Sequence, residues 1–130
     1  MEEPFPDAGS APVRTVLVID DSLVECLLAT AVLQKLGCSV ICVASAEQAL
    51  MRMAGSRFDL VICDISLPDM DGLALLAAMQ VVAQALPCIM LSAHDEGLHA
   101  EAALRAGAHA YLVKPLRLAS MRAVLGELFP

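Results

Sequence analysis

The sequence predicts an α/β fold in which five strands form a single parallel sheet with five helices on its two faces. Five short apolar runs rich in β-branched residues recur along the chain, each too short for a helix of ordinary length. Segments with helical spacing lie between these runs. This alternation of strand and helix is typical of βαβ units with right-handed crossovers, which build parallel sheets.

The predicted strands are apolar along their whole length, as expected of strands that are buried on both faces of a parallel sheet. They are VLVI at 16–19, SVICVA at 39–44, LVIC at 60–63, CIML at 88–91 and AYLV at 110–113. The predicted helices cover 22–36, 45–54, 71–80, 98–106 and 117–128. Each helix follows a strand, so the chain builds its sheet one βα unit at a time.

Two of the helices carry clear end signals. In the first, Gly37 follows at the place of a C-terminal cap. Its apolar residues are expected on one side, and they are Leu23, Cys26, Leu27, Val32, Leu33 and Leu36. In the second, Ser45 is the candidate N-cap with Gln48 at capping-box spacing, and Gly55 ends the helix.

Composition restricts the function. Fifteen acidic and eight basic residues give a net charge of −7, which argues against direct nucleic-acid binding and against an anionic membrane surface. No apolar run reaches the roughly 18 residues of a membrane span. The five cysteines form no CxxC pair, so we interpret them as reduced core residues of a cytoplasmic protein. Residues 1–13 are expected to form a flexible tail, and 14–130 one domain.

Polar residues follow four of the predicted strands, and this is the strongest functional signal. Asp20 and Asp21 follow the first strand, Asp64 the third, Ser92 the fourth and Lys114 the fifth. The carboxyl ends of parallel strands are where open α/β sheets bind ligands. Three carboxylates in one crevice would repel each other, so a hard divalent cation is expected, Mg²⁺ with Mn²⁺ as an alternative.

The remaining groups indicate phosphoryl transfer. Lys114 supplies a positive charge, and the Ser92 hydroxyl and the Ala93 backbone N–H can donate to a phosphoryl oxygen. Phosphoryl transfer needs an in-line nucleophile and neutralisation of charge on the equatorial oxygens. Asp64 as the nucleophile would form an acyl phosphate.

The motifs VLVIDDS, VICDISLPDMDG, MLSA and AGAHAYLVKPL, in this order, resemble the receiver domains of two-component response regulators over residues 14–130. The resemblance implies a flavodoxin-like, CheY-like sheet of order 2-1-3-4-5. It also implies a phosphohistidine donor, either a sensor histidine kinase or a histidine phosphotransfer protein. A downstream protein would bind the face formed by the fourth helix, fifth strand and fifth helix.

The same resemblance implies roles for individual residues. Asp64 is the phosphoacceptor. Asp21, Asp64 and the Ser66 carbonyl ligate the magnesium ion, and Asp20 acts largely through metal-bound water. Ser66 also flanks the path of the hydrolytic water through its side chain, and His94 borders the same path from the other side.

Other implied roles concern the switch and the lysine. Ser92 and Tyr111 change position on phosphorylation, and Lys114 pairs with the phosphoryl oxygens. The peptide bond between Lys114 and Pro115 is expected to be cis. His109 and Ala110 stand where receivers of one familiar dimer have acidic residues, which disfavours that dimer.

Several simpler interpretations compete with these roles. Asp69 and Asp71 are expected to serve as turn and N-cap residues of the following helix rather than as ligands. The histidines share no metal spacing with the cysteines. They are His94, His99 and His109, and each is expected in a loop or exposed.

Three alternative functions remain open at this point. A pseudo-receiver would use the fold for docking alone, although such proteins usually lack part of the acid, Ser/Thr and Lys set. A phosphatase with an aspartyl nucleophile would typically have a second acid where Ser66 stands. A flavin-binding module would need a phosphate loop after the first strand, where the sequence DDS would repel the phosphate.

Overall fold

The computed structural model describes residues 13–83, 85–93 and 97–130, with only the backbone for 97–99. The elements in chain order are β1 Thr15–Ile19, α1 Leu23–Lys35, β2 Ser39–Val43, α2 Ala46–Gly55, β3 Leu60–Asp64, α3 Gly72–Val82, β4 Cys88–Ser92, α4 Gly97–Arg105, β5 Ala110–Val113 and α5 Leu118–Leu128. Every predicted strand and helix is therefore present, with ends that differ by no more than one or two residues.

The five strands form one parallel sheet in the order β2-β1-β3-β4-β5. This confirms the α/β fold class and the 2-1-3-4-5 order. Because β1 lies between β2 and β3, the chain reverses its direction of growth across the sheet at β1. The carboxyl ends of β1 and β3 consequently adjoin, which is the usual place for a ligand site in such a sheet.

Alternate side chains of each strand enter two separate cores. In β1, Val16 and Val18 pack with buried residues of α1 and α5, whereas Leu17 and Ile19 pack with those of α2, α3 and α4. The same alternation continues through β3 and β4. Strict alternation follows from the pleat of a strand, so both faces of the central sheet are apolar.

The prediction that all five strands are buried on both faces is wrong for the two outer ones. β1, β3 and β4 are almost wholly buried, but Ser39 and Cys42 of β2 and Val113 of β5 are exposed. An outer strand has a neighbour on one side only and incomplete helix cover. Cys42 is consequently exposed, which corrects the expectation of five core cysteines, and the other four are buried.

The predicted inner side of α1 is also partly wrong. Cys26 and Leu33 are buried as expected, together with Ala29, whereas Leu23 and Leu27 are 73% and 61% exposed. The helix is apolar nearly all round, so spacing alone does not say which side faces the sheet. Small side chains at 26 and 29 let the helix lie close to the strands. The result is an exposed apolar stripe at the start of α1, formed by Leu23, Val24, Leu27 and Leu28.

The predicted cap of α2 is confirmed. The backbone N–H of Gln48 donates to Ser45 Oγ at 3.2 Å. The Gln48 side chain accepts from the N–H of Ala44 at 2.8 Å, one residue earlier than in an ordinary capping box. Among the described residues, no helix is long and apolar enough to cross a membrane.

Candidate functional site

Three aspartates come together at the carboxyl edge of the sheet. Asp20 follows β1 directly, Asp21 is the next residue, and Asp64 ends β3. Each offers a carboxylate oxygen within 4.8 Å of the others. Asp20 and Asp64 are buried, with 4% and 8% of their surface exposed, whereas Asp21 is exposed. Two acids of the cluster are therefore buried, and one is open to solvent.

Each buried carboxylate accepts a hydrogen bond from the backbone N–H of the residue two positions later in the chain. Asp20 Oδ1 accepts from the N–H of Ser22 at 3.0 Å, and Asp64 Oδ1 accepts from that of Ser66 at 3.1 Å. The N–H of Asp20 itself donates to the carbonyl of Val43 at 3.0 Å, which ties the first loop to β2. In each acid the Oδ2 atom is left to point toward the centre of the site.

Lys114 bridges the two buried acids. Its Nζ lies 2.8 Å from Asp20 Oδ2 and 3.1 Å from Asp64 Oδ2. The backbone N–H of Lys114 donates to the carbonyl of Ser92 at 2.7 Å, and the Lys114–Pro115 peptide bond is cis. Burial is the largest influence on the pKa of Lys114 and lowers it, but the hydrogen bonds and charges of the two aspartates together raise that pKa. The lysine is thus a cation throughout the neutral range.

Ser92 and Tyr111 lie on the neighbouring strands. Ser92 ends β4 and is buried, with 3% exposed, and it stands opposite Val113 in the β4–β5 register. Tyr111 is half-buried and packs on the core beneath α2, α3 and α4. The sheet therefore places Ser92 at the same edge as Asp64, while Tyr111 lies further down β5, opposite Met90.

The acidic cluster fits a hard divalent cation. The cluster holds three carboxylates and Lys114 contacts two of them, so the cluster retains excess negative charge. Magnesium prefers oxygen ligands and is commonly held by one or two carboxylates with several waters. Because Asp21 is exposed, one side of the cluster is open to such waters.

Gly72 is a residue whose importance the sequence analysis missed. A Cβ at this position would lie 2.7 Å from the Asp64 carbonyl oxygen and 2.8 Å from both Ile65 Cα and Met90 Cε. The N–H of Gly72 donates to the Ile65 carbonyl at 2.9 Å. The start of α3 therefore packs directly on the backbone that carries Asp64. The only signal in the sequence is the glycine that ends PDMDG.

Asp69 and Asp71 lie outside the acidic cluster and cap two different helices. Asp71 caps α3 and accepts from the N–H of Leu73 at 2.8 Å, as expected. Asp69, however, accepts from the N–H groups of Ala46 and Glu47, both at 3.0 Å, and so caps α2 rather than the following helix. These two hydrogen bonds, led by that of Ala46, lower the pKa of Asp69.

The histidines contribute little to the described site. His94 lies outside the described residues, and so does the side chain of His99. His109 is exposed as expected, and its Nε2 atom lies 3.0 Å from Glu127 Oε1 on α5. Of the predicted N-terminal tail, residues 1–12 also lie outside the described part of the chain.

Residues 16–126 match the family of response regulator receiver domains. Over 110 residues the chain is 36% identical to the transcriptional regulatory protein ZraR of Escherichia coli (strain K12), covering 85% of this chain and 25% of that protein. Over 117 residues it is 35% identical to the sensory/regulatory protein RpfC of Xanthomonas campestris pv. campestris (strain 8004), covering 87% of this chain and 16% of that protein. The chain thus spans a quarter or less of these curated relatives.

Solved structures agree with the sequence relatives. The chemotaxis response regulator CheY4 of Vibrio cholerae is similar with a TM-score of 0.81 and 27% identity, covering 91% of this chain and all of that one. A CheY-like receiver domain protein of Methanospirillum hungatei JF-1 is similar with the same TM-score and identity, covering 89% and 93%. Together with the sheet order, these matches establish that the chain belongs to the response regulator receiver domains of two-component signalling systems.

Proposed function

We propose that this receiver domain accepts a phosphoryl group on Asp64 in a magnesium-dependent reaction. The observation that carries the proposal is the meeting of three carboxylates with Lys114 at one edge of the sheet. Asp20 and Asp64 both contact the lysine, and Asp64 is the one that ends a central strand. A residue so fixed needs little reorganisation before it reacts.

The metal site is proposed at Asp20, Asp21, Asp64 and the Ser66 backbone carbonyl. Asp20 acts largely through a metal-bound water, and Mn²⁺ is an alternative ion. When bound, the ion would neutralise negative charge on the phosphoryl oxygens and on the carboxylates. Ser66 follows Asp64 by two residues and is already tied to it through its N–H, so its carbonyl belongs to the same short loop.

The proposed reaction is an in-line displacement at phosphorus. A carboxylate oxygen of Asp64 forms the new O–P bond, the N–P bond of a phosphohistidine breaks, and the imidazole leaves with the electron pair and takes up a proton. Lys114 and the Ser92 hydroxyl donate to the phosphoryl oxygens in the product. For Lys114 this requires only that Nζ exchange its contact with Asp64 Oδ2 for a phosphoryl oxygen close by.

The phosphoryl donor is proposed to be a sensor histidine kinase or a histidine phosphotransfer protein. Family membership supports a protein donor of this kind. The exposed apolar stripe at the start of α1 also supports it, because the stripe begins two residues after Asp21. A protein that brings a phosphohistidine to Asp64 would cover these side chains.

The output is proposed to be a population shift of the face formed by α4, β5 and α5. Ser92 would turn toward the phosphoryl group and Tyr111 would follow it, changing the surface that a downstream protein binds. Beryllofluoride with Mg²⁺ mimics the phosphorylated acid, and we expect it to shift the amide resonances around Tyr111. Unchanged resonances there would contradict the switch.

The remaining proposals concern phosphoryl lifetime and domain limits. The Ser66 side chain and His94 are proposed to flank the path of the hydrolytic water and so to tune dephosphorylation. Ser66 is exposed beside the acidic cluster, which agrees with that role. The receiver is proposed to extend over 14–130, with 1–13 as a tail.

The decisive experiment is labelling with acetyl phosphate and Mg²⁺, followed by the mass of the intact protein. We expect the wild type to gain one phosphoryl group, to gain none when EDTA replaces Mg²⁺, and Asp64→Asn to gain none. The matched control is Asp59→Asn, which removes the same charge at the opposite end of β3 and should be labelled like the wild type. Labelled Asp64→Asn would refute the nucleophile assignment.

The alternative is a pseudo-receiver that docks without phosphorylation. An unlabelled wild type whose fold is intact by circular dichroism would favour that alternative and overturn the proposal. The complete set of three acids, Ser92 and Lys114 is the observation that disfavours it.

A further inference from the structure

Cys26 and Cys42 face each other across the contact between α1 and β2. Cys42 Sγ lies 3.8 Å from the backbone carbonyl oxygen of Cys26 and 3.3 Å from Oγ1 of Thr30, one helical turn further along α1. Val40, two residues before Cys42, packs on the core beneath α1 and α5, so the pleat of β2 directs position 42 to that same side. Cys42 Sγ therefore lies against the turn of α1 that carries Cys26.

Cys42 also influences the thiol of Cys26. The pKa of Cys26 is raised to about 12, by burial first and then by the charge and the hydrogen bond of the Cys42 thiol. Cys26 Sγ has a second partner, the Asp20 backbone carbonyl oxygen at 3.3 Å.

The two cysteines differ in access. Cys42 is exposed at the outer strand β2, and its Sγ lies on the side of α1. Cys26 is only 7% exposed. A small oxidant can therefore reach Cys42 first, and the sheltered thiol of Cys26 belongs to the helix that Cys42 Sγ contacts. The three other cysteines are buried elsewhere, and they are Cys38, Cys63 and Cys88.

We propose that Cys26 and Cys42 form a redox-active dithiol that a peroxide converts into an intramolecular disulfide. The Cys42 sulfur attacks the peroxide, the O–O bond breaks, and a sulfenic acid and one water form. The Cys26 sulfur then displaces the sulfenic hydroxyl as a second water, which leaves the S–S bond. Two thiols are oxidised and one hydrogen peroxide is reduced, so atoms and electrons balance.

This modification site is separate from the phosphoryl site but lies beside it. The disulfide would tie the middle of α1 to the outer strand β2. It would also remove the thiol hydrogen that Cys26 donates to the Asp20 carbonyl. Oxidation would thus remove one hydrogen bond from the loop that carries Asp20 and Asp21, whether or not Asp64 is phosphorylated.

Peptide mapping of the folded protein after hydrogen peroxide tests the proposal. Trypsin cuts after Arg14, Lys35 and Arg52, so Cys26 falls in the peptide of residues 15–35 and Cys42 in that of 36–52. Cys38 shares the second peptide, and the matched variant Cys38→Ser removes this ambiguity. In that variant we expect the two peptides to be linked, with the loss of two hydrogen atoms and recovery by dithiothreitol.

The controls are Cys42→Ser and Cys26→Ser in the Cys38→Ser background. Neither should give the linked peptides. The proposal is overturned if wild type and Cys38→Ser keep all thiols free, if Cys42 accumulates sulfinic acid while Cys26 stays reduced, or if Cys42 joins two chains. If a variant fails to fold, fragmentation of the linked wild-type peptides by tandem mass spectrometry locates the bond at Cys42, as proposed, or at Cys38, which would overturn the proposal.

Discussion

Two aspartates flank strand β3 and have different surroundings. Asp59, just before the strand, accepts from the N–H of Thr15 at 2.8 Å and returns its own N–H to the Thr15 carbonyl. Asp64, at the other end, meets two further carboxylates and Lys114. At the amino edge, Asp59 is therefore hydrogen-bonded to the first residue of the neighbouring strand β1. At the carboxyl edge, polar groups that follow several strands come together, and so an acid there becomes part of a charged cluster.

Position on the sheet, rather than residue type, decides the role of each acid. At the amino edge, the carboxylate of Asp59 accepts from one backbone N–H. At the carboxyl edge, the carboxylate of Asp64 adds its charge to a cluster of acids. The following predictions test this difference between the two edges, beginning with the largest effect.

Removing the cation of the carboxyl edge should have the largest effect on stability. In Lys114→Met, Asp20 and Asp64 lose their common partner, and we expect the free energy of unfolding to fall by about 3 kcal/mol, as when one member of a buried ion pair is removed. Urea unfolding in EDTA measures this loss, and excess Mg²⁺ should restore most of it. Lys35→Met, at an exposed lysine of α1, should change stability by no more than about 0.5 kcal/mol.

The stability difference between wild type and Lys114→Met depends on pH because the pKa of Lys114 is raised in the folded state. A raised pKa in the folded state means that the stabilisation is complete below the unfolded value of 10.5 and is lost as the pH rises through the folded value. The difference between wild type and Lys114→Met should therefore be constant near neutral pH and shrink only above pH 10.5. Equal losses in Lys114→Met and Lys35→Met would contradict the account.

A methyl group at Gly72 should have the next largest effect. Gly72→Ala places a Cβ against the Asp64 carbonyl and Ile65, where the backbone cannot yield easily. We expect a loss of about 1–3 kcal/mol, typical of overpacking. In Gly126→Ala the new Cβ meets open space within α5, and a gain of about 0.5–1 kcal/mol is expected from the better helix former. If the denaturant midpoints of both variants shifted in the same direction and by the same amount, the tight packing at Gly72 would be refuted.

The smallest effect is expected at Asp69, where the account predicts a pH dependence. Its lowered pKa means that its stabilisation is present above the unfolded value of 3.8 and is lost as the pH falls through the folded value. Relative to Asp69→Asn, the wild type should therefore lose stability below pH 3.8, and the two curves should run parallel above about pH 5. Thermal unfolding across this range measures the difference, and parallel curves at every pH would remove Asp69 from the cap of α2.

The elements of the fold were predictable because apolar runs and helix caps are local features. The burial of β2 and β5 was not, since the place of a strand in the sheet depends on the order of all five. Side-chain spacing likewise does not show which side of an all-apolar helix faces inward, and this is why Leu23 and Leu27 of α1 were misplaced.

The candidate site was predictable because the carboxyl ends of parallel strands must share one edge. Asp20, Asp21, Asp64 and Lys114 therefore meet without any detail of packing. The role of Gly72 depends instead on how closely the start of α3 packs on the end of β3, and that of Asp69 on hydrogen bonds to α2. Such contacts leave no periodic signal, and only the structure reveals them.

The most direct test of the central claim locates the phosphoryl group itself. Borohydride reduces an aspartyl phosphate to homoserine, so peptide sequencing after acetyl phosphate, Mg²⁺ and borohydride identifies the modified residue. The account predicts homoserine at position 64 alone. Homoserine at Asp20, Asp21 or Asp59, or none at all in folded protein, would contradict it.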